Sequence, residues 1–197
     1  MNNYYQESQH NQLEESQNQL PDNREPNVHS RQPQKMNYSD REVRVFGTKN
    51  AAQFEISNTR AGIPTLTIQM TSVTKNGREK RGNWKSESIT FQLTPETELI
   101  QFIFFLNKRA KVKNLSFKYH GQDAKKSMTL NTNEDGTIFL KLYDGVRNFD
   151  LVVPPVYWIQ VLTLTYKAYA SRFMMSVVDA VSLLNISPLP EMPKQEK

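Results

Sequence analysis

No cysteine occurs among the 197 residues, so disulfides, thiol nucleophiles and cysteine-based zinc sites are excluded. Histidine is scarce: His10, His29 and His120 are the full complement, and two of them fall in a polar N-terminal stretch, which argues against a histidine metal site or a catalytic triad. There is no GxGxxG and no P-loop. No N-terminal segment joins a basic flank to an apolar run, so a secretory signal is not expected. The apolar stretch from Leu151 to Tyr166 is broken by Pro154, Pro155 and Gln160 and is too short to span a bilayer. These absences predict an intracellular protein without a membrane partner, cytoplasmic or nucleoid-associated, or organellar in a eukaryote.

Carboxylates offer no acid–base pair either. Glu96 and Glu98 fall at a predicted helix start, where they complement the dipole. Asp123, Asp135 and Asp144 fall in predicted turns, where aspartate is common. Glu134 and Asp135 are adjacent, but no second pair supports a metal site. No enzyme, cofactor or metal is expected.

Residues 1–40 are rich in Asn, Gln, Ser and Glu and nearly free of branched apolar side chains, the composition of a disordered tail. They hold six acids and three bases, a net −3, so the remainder carries +8 toward the whole-chain +5. A basic globular part favours a polyanionic partner.

What is present is a recurring strand–helix pattern. Ile89, Phe91 and Leu93 alternate with polar residues, as in a half-buried strand. Thr94 then suits a helix cap and Pro95 a first helical position, and Leu99, Phe102, Ile103 and Leu106 form one helical stripe. Sixty residues later the pattern returns: Phe149, Leu151 and Val153, then Pro155, then Ile159, Leu162, Thr163 and Tyr166. Earlier strands are predicted around Val43–Val45, Phe54–Ile56 and Leu66–Met70, with a basic turn Lys75–Gly82 leading to a fourth strand from about Lys85. In the second half Leu115, Phe117 and Tyr119 alternate along one strand, Met128 and Leu130 mark a second, Ile138, Leu140 and Leu142 are the inner side of a third, and Arg147–Val153 is the fourth. A helix follows, and it runs on or restarts through Phe173, Met174, Val177, Val178, Val181 and Leu184. Prolines 188, 190 and 193 end it.

The expected architecture is therefore α+β: two ββββα repeats with antiparallel sheets packed on helices. Repeat one covers about 43–111, repeat two about 112–170 and a helical extension 171–187. Together 41–187 form one domain, followed by a flexible tail, 188–197.

In this order of elements, and in the run IQMTSVTKNGREKRGNWKSESITFQLTPE from Ile68 to Glu96, the chain resembles the Whirly family and the related transcriptional-coactivator-type single-strand binders. The coactivator type has one such unit per chain and dimerises; the Whirly type carries both. The resemblance covers about 43–170 and lacks the KGKAAL strand of plant Whirly proteins. It implies binding of single-stranded nucleic acid over sheet surfaces, and often higher oligomers.

Such a binder needs cations along the backbone track and flat rings for the bases. The alternation places Phe139, Lys141 and Tyr143 on the outward face of their strand and Trp84 on the polar side of its own. Lys75, Arg78, Lys80, Arg81 and Lys85 would form a basic rim, matched in the second unit by Lys118, Lys125 and Lys126. The expected function is non-enzymatic binding of single-stranded DNA or RNA, accessory to replication, transfer or transcription, with a homo-oligomer expected. The alternative is an assembly protein that uses the sheets and the late helix for protein contacts alone.

Because residues 1 to about 40 carry no core pattern, limited proteolysis should trim them and leave a fragment that melts cooperatively. A fragment that loses its cooperative melt would contradict that expectation.

Overall fold

The computed structural model describes residues 40–76, 79–108 and 111–192; the expected N-terminal tail, apart from Asp40, lies outside the described residues, as do 193–197. Nine strands form two antiparallel sheets. The first contains β1 (Glu42–Phe46), β2 (Asn50–Asn58), β3 (Pro64–Asn76), β4 (Glu79–Gly82) and β5 (Ile89–Gln92); helix α1 (Glu98–Leu106) follows it. The second is a meander of β6 (Asn114–His120), β7 (Lys126–Thr132), β8 (Ile138–Tyr143) and β9 (Asn148–Val153); helices α2 (Pro155–Arg172) and α3 (Val177–Ile186) follow. The fold is α+β with five- and four-stranded sheets and three helices, the last near the C-terminus.

Alternation sets the registers. In sheet 1 Val43, Phe54, Ile68 and Phe91 stand abreast, as do Val45, Ala52, Met70 and Ile89, and all eight are buried. In sheet 2 the buried row Leu115, Leu130, Leu140 and Leu151 plays the same part. A one-residue slip in either sheet would turn these rows to water, so the apolar pattern itself specifies the pairing.

Several elements differ from the sequence reading. The strand expected from Lys85 begins only at Ile89, and an additional short strand, β4, precedes it. Both pair with β3, β5 along Thr67–Met70 and β4 along Val73–Asn76, so the expected basic turn is largely a hairpin arm projecting beyond β2. Thr94 and Pro95 do not open α1. A turn over Pro95–Thr97 intervenes, and Glu98 reaches back to accept the Thr94 N–H at 2.8 Å. Pro155, by contrast, stands at the first position of α2. Equal offsets from the two strands therefore reach different helix faces: Ile159 is 68 % exposed and Thr163 exposed, while Trp158, Val161, Thr165 and Ala168 face the core. Tyr119 does not join Leu115 and Phe117 inside. A bulge between Phe117 and His120 leaves it 75 % exposed.

Helix α2 lies across β1, β2 and β3 and against α1. Trp158 is the joint. Its indole N–H donates to the Val153 carbonyl at 3.0 Å, and its ring meets Phe54 at 5.6 Å and Phe102 at 6.5 Å, both edge-on. The chain then breaks at Phe173–Ser176, with Met174 left-handed at φ 51°, and α3 restarts under a Ser176 cap that accepts the Asp179 N–H at 3.1 Å. Only Ala180 and Leu184 of α3 are buried. The first part of the expected flexible tail lies against α1, where Gln101 donates to the Glu191 carbonyl and Met192 is half-buried on the core.

Trp158→Ala should cost about 3–5 kcal/mol in a denaturant melt, through the cavity and the lost ring contacts. A loss below about 1 kcal/mol would show that the joint is not where the two sheets are coupled.

Candidate nucleic-acid interface

The two sheets differ in what their outer faces offer. That of sheet 2 is read across the strands in rows. One row is Asn114, Asn131, Phe139 and Val152; the next is Ser116, Thr129, Lys141 and Asp150. A third places Ser127, Tyr143 and Asn148 together. Every one of these side chains is half-buried or exposed. Short polar residues thus surround two rings and a lysine on an accessible face.

The outer face of sheet 1 is closed to a polyanion. Glu42 stands directly opposite Glu55, a repulsive pair that Gln53 bridges with 3.2 Å bonds to both carboxylates. Arg44 bonds Gln53 and Glu42, Ser57 and Thr67 share a 2.6 Å bond, and Gln92 donates to Ser57. Thr65 and Thr71, on the same side, are fully buried. The donors here already serve acceptors within the sheet.

Three of the expected basic side chains lie on the hairpin arm. Lys75 and Lys80 are direct cross-strand partners, and Arg81 stands opposite Thr74. Like charges so placed repel unless an anion lies between them. Lys80 donates to the Gly47 carbonyl at 2.9 Å, and exposed Arg81 pairs with exposed Glu79 at 3.0 Å, a contact worth little in water. Lys85 is exposed in the following turn. Arg78 lies outside the described residues. Trp84 sits in that turn rather than on a strand. Its ring covers Gly82, where an added Cβ would meet it at 2.5 Å, and meets Phe46 edge-on at 6.5 Å. Trp84 therefore seats the arm and is only half-exposed.

The lysines of the β6–β7 hairpin separate into two roles. Lys126 turns inward and donates to the Thr90 carbonyl of β5 at 3.2 Å, tying the sheets together. Lys118 and Lys125 are exposed, and the stem of Lys125 packs on Gly145.

Sequence reasoning missed Lys49. It lies in the β1–β2 turn beside Gly47, whose missing Cβ lets the turn approach Leu151 closely. Lys49, Asn50, Phe139 and Val152 line a groove of about 350 Å³ where the turn meets sheet 2. Asn50 closes it by donating to the Asp150 carbonyl at 2.9 Å and its carboxylate at 3.2 Å. The only sequence signal was a cation after a glycine turn; its approach to Phe139 is a tertiary fact.

The Tyr143 ring is held in place. Its hydroxyl donates to the Gly145 carbonyl at 2.8 Å across the β8–β9 turn. Asp144 builds that turn, accepting the Arg147 N–H at 2.7 Å, the Val146 N–H at 3.1 Å and the Arg147 guanidinium at 2.7 and 3.0 Å. Burial pushes the Asp144 carboxyl up, but these donors outweigh it and hold it below the usual carboxylate range. Among the described residues no three His, Asp or Glu side chains gather as a metal cage, and no helix is long and apolar enough to cross a membrane.

A depressed carboxyl stabilises the folded state above its unfolded pKa and loses that contribution as pH falls through the folded value. Asp144→Asn should therefore lower stability by about 1 kcal/mol at pH 7 and by much less at pH 3, read from paired melts. An equal deficit at both pH values would refute the assignment.

Compared with protein-family models, with curated proteins and with solved structures, the chain matches none.

Proposed function

We propose that this chain is a non-enzymatic binder of single-stranded DNA or RNA, of Whirly-like architecture, with two units in one chain, each an antiparallel sheet followed by a helix, of five strands in the first and four in the second. Its role is accessory, in DNA replication, transfer or transcription. The observation that carries the reading is the open outer face of sheet 2, where Phe139, Lys141 and Tyr143 alternate along β8 among Ser, Thr and Asn side chains. Flat rings accept unpaired bases of any sequence, and short polar neighbours leave room for them. The basic arm with Lys75, Lys80 and Arg81, and Lys118 and Lys125 on sheet 2, supply phosphate contacts. Duplex binds worse, because its bases are already stacked.

A fluorescence-anisotropy titration with a labelled strand of about thirty nucleotides tests this. Lys80→Glu with Arg81→Glu should weaken binding to every sequence and flatten the salt dependence, since fewer counterions are released. Tyr143→Ala should cost about 1–3 kcal/mol with the salt slope unchanged. No binding at micromolar protein and low salt refutes the reading.

One observation favours protein contacts as well. Along and beside α3, Met174, Val178 and Ile186 are exposed, with Phe173 and Leu189 beside them and Asp179 as the single charge between Phe173 and Pro190. Contiguous apolar surface of this kind marks association sites, and a homo-oligomer is the proposed form. If protein contacts were its sole use, the chain would be an assembly component. Val178→Asp with Ile186→Asp should lower the mass in light scattering; a parent protein that is already monomeric removes the oligomer.

A further inference from the structure

The β6 bulge presents an aromatic ring that the packing of the chain does not use. Phe117 pairs with Met128 and His120 with Lys126, so Lys118 and Tyr119 together stand opposite the single Ser127. The extra residue changes which ring goes inside. His120 turns in, its ring on Phe91 at 4.1 Å between centroids and its Nε2 2.7 Å from Glu98 Oε1. Tyr119 turns out, 75 % exposed, in the left-handed region at φ 67°.

A bulky side chain at positive φ is uncommon and costly, and glycine takes that conformation without penalty. The Tyr119 ring therefore adds strain and returns little burial. Strain of this kind clusters at ligand clamps and switch regions. The surroundings identify the contact. Ser127, opposite the bulge, is also the partner of Tyr143. The two tyrosines thus stand on either side of one serine, their backbones roughly 10 Å apart at two strand spacings. Exposed Lys118 precedes Tyr119, and exposed Lys125 closes the same hairpin.

We infer that Tyr119 is a base-stacking residue of sheet 2, held out by the bulge so that an unpaired base seats on its ring and the adjoining phosphates meet Lys118 and Lys125. The inference rests on the reading of the chain as a single-strand binder and adds to Phe139 and Tyr143 a third ring, on the edge strand. The His120–Glu98 contact is the anchor that keeps the bulge in place.

The test uses the full chain, with parent, Tyr119→Gly and Tyr119→Phe compared by thermal melt and by anisotropy with a labelled strand of about thirty nucleotides. Tyr119→Gly should melt no lower than the parent, because the left-handed strain is relieved, and bind about tenfold more weakly with the salt slope unchanged. Tyr119→Phe should bind within twofold of the parent. The inference is overturned if the glycine variant binds like the parent, if it melts lower because the ring packs at home, or if phenylalanine loses as much as glycine. A parent that binds no single strand removes the functional reading and this inference together. A parent that binds while the glycine variant is unchanged removes Tyr119 alone.

Discussion

The indole of Trp158, on α2, joins both sheets and helix α1. Its N–H is bound to the last carbonyl of β9, and its ring lies against Phe54 of sheet 1 and Phe102 of α1. Only Pro154 separates β9 from α2, so the helix leaves sheet 2 at once and is directed across sheet 1. The inner faces of both sheets are thereby spent on one apolar cluster. The polar face of sheet 2 lies on the opposite side, outside that cluster.

Electrostatics then separates the two outer faces. Glu42 and Glu55 occupy one face with their donors committed, and no phosphate gains by displacing them. On the other, Asp150 accepts from Asn50 and Asp144 is paired with Arg147. Lys75 and Lys80 on the arm and Lys118 and Lys125 at the β6–β7 hairpin are the cations of the proposed track, and all four are exposed. The cross-strand Lys75–Lys80 pair is the clearest case, since a phosphate between them turns a repulsion into two attractions.

Much of this was legible in the sequence, for identifiable reasons. Period-two alternation from Val43 to Met70 and from Leu115 to Val153 is a local property, and it gave the strands, their buried rows and the outward setting of Phe139, Lys141 and Tyr143. The failures come from single-residue events that alternation cannot register. One extra residue at the bulge exchanged Tyr119 for His120. A three-residue turn before α1, absent before α2, rotated the second helix so that Trp158 rather than Ile159 faces inward. Alternation of its neighbours predicts a strand at Trp84, whereas Gly82 lets the chain fold its ring down on the arm. Lys49 joins the groove only through the close approach of Gly47 to Leu151, a contact a hundred residues away in the chain.

The central claim is that one sheet face, and not the other, receives a single strand. Amide and side-chain chemical-shift mapping during titration with a short unlabelled oligonucleotide reads this directly. The account predicts perturbations at Ser127, Thr129, Phe139, Lys141 and Tyr143 and along the β3–β4 arm, with Gln53, Glu55, Thr67 and Gln92 of sheet 1 unmoved. Perturbations centred on the sheet 1 residues, or confined to α3, would contradict it.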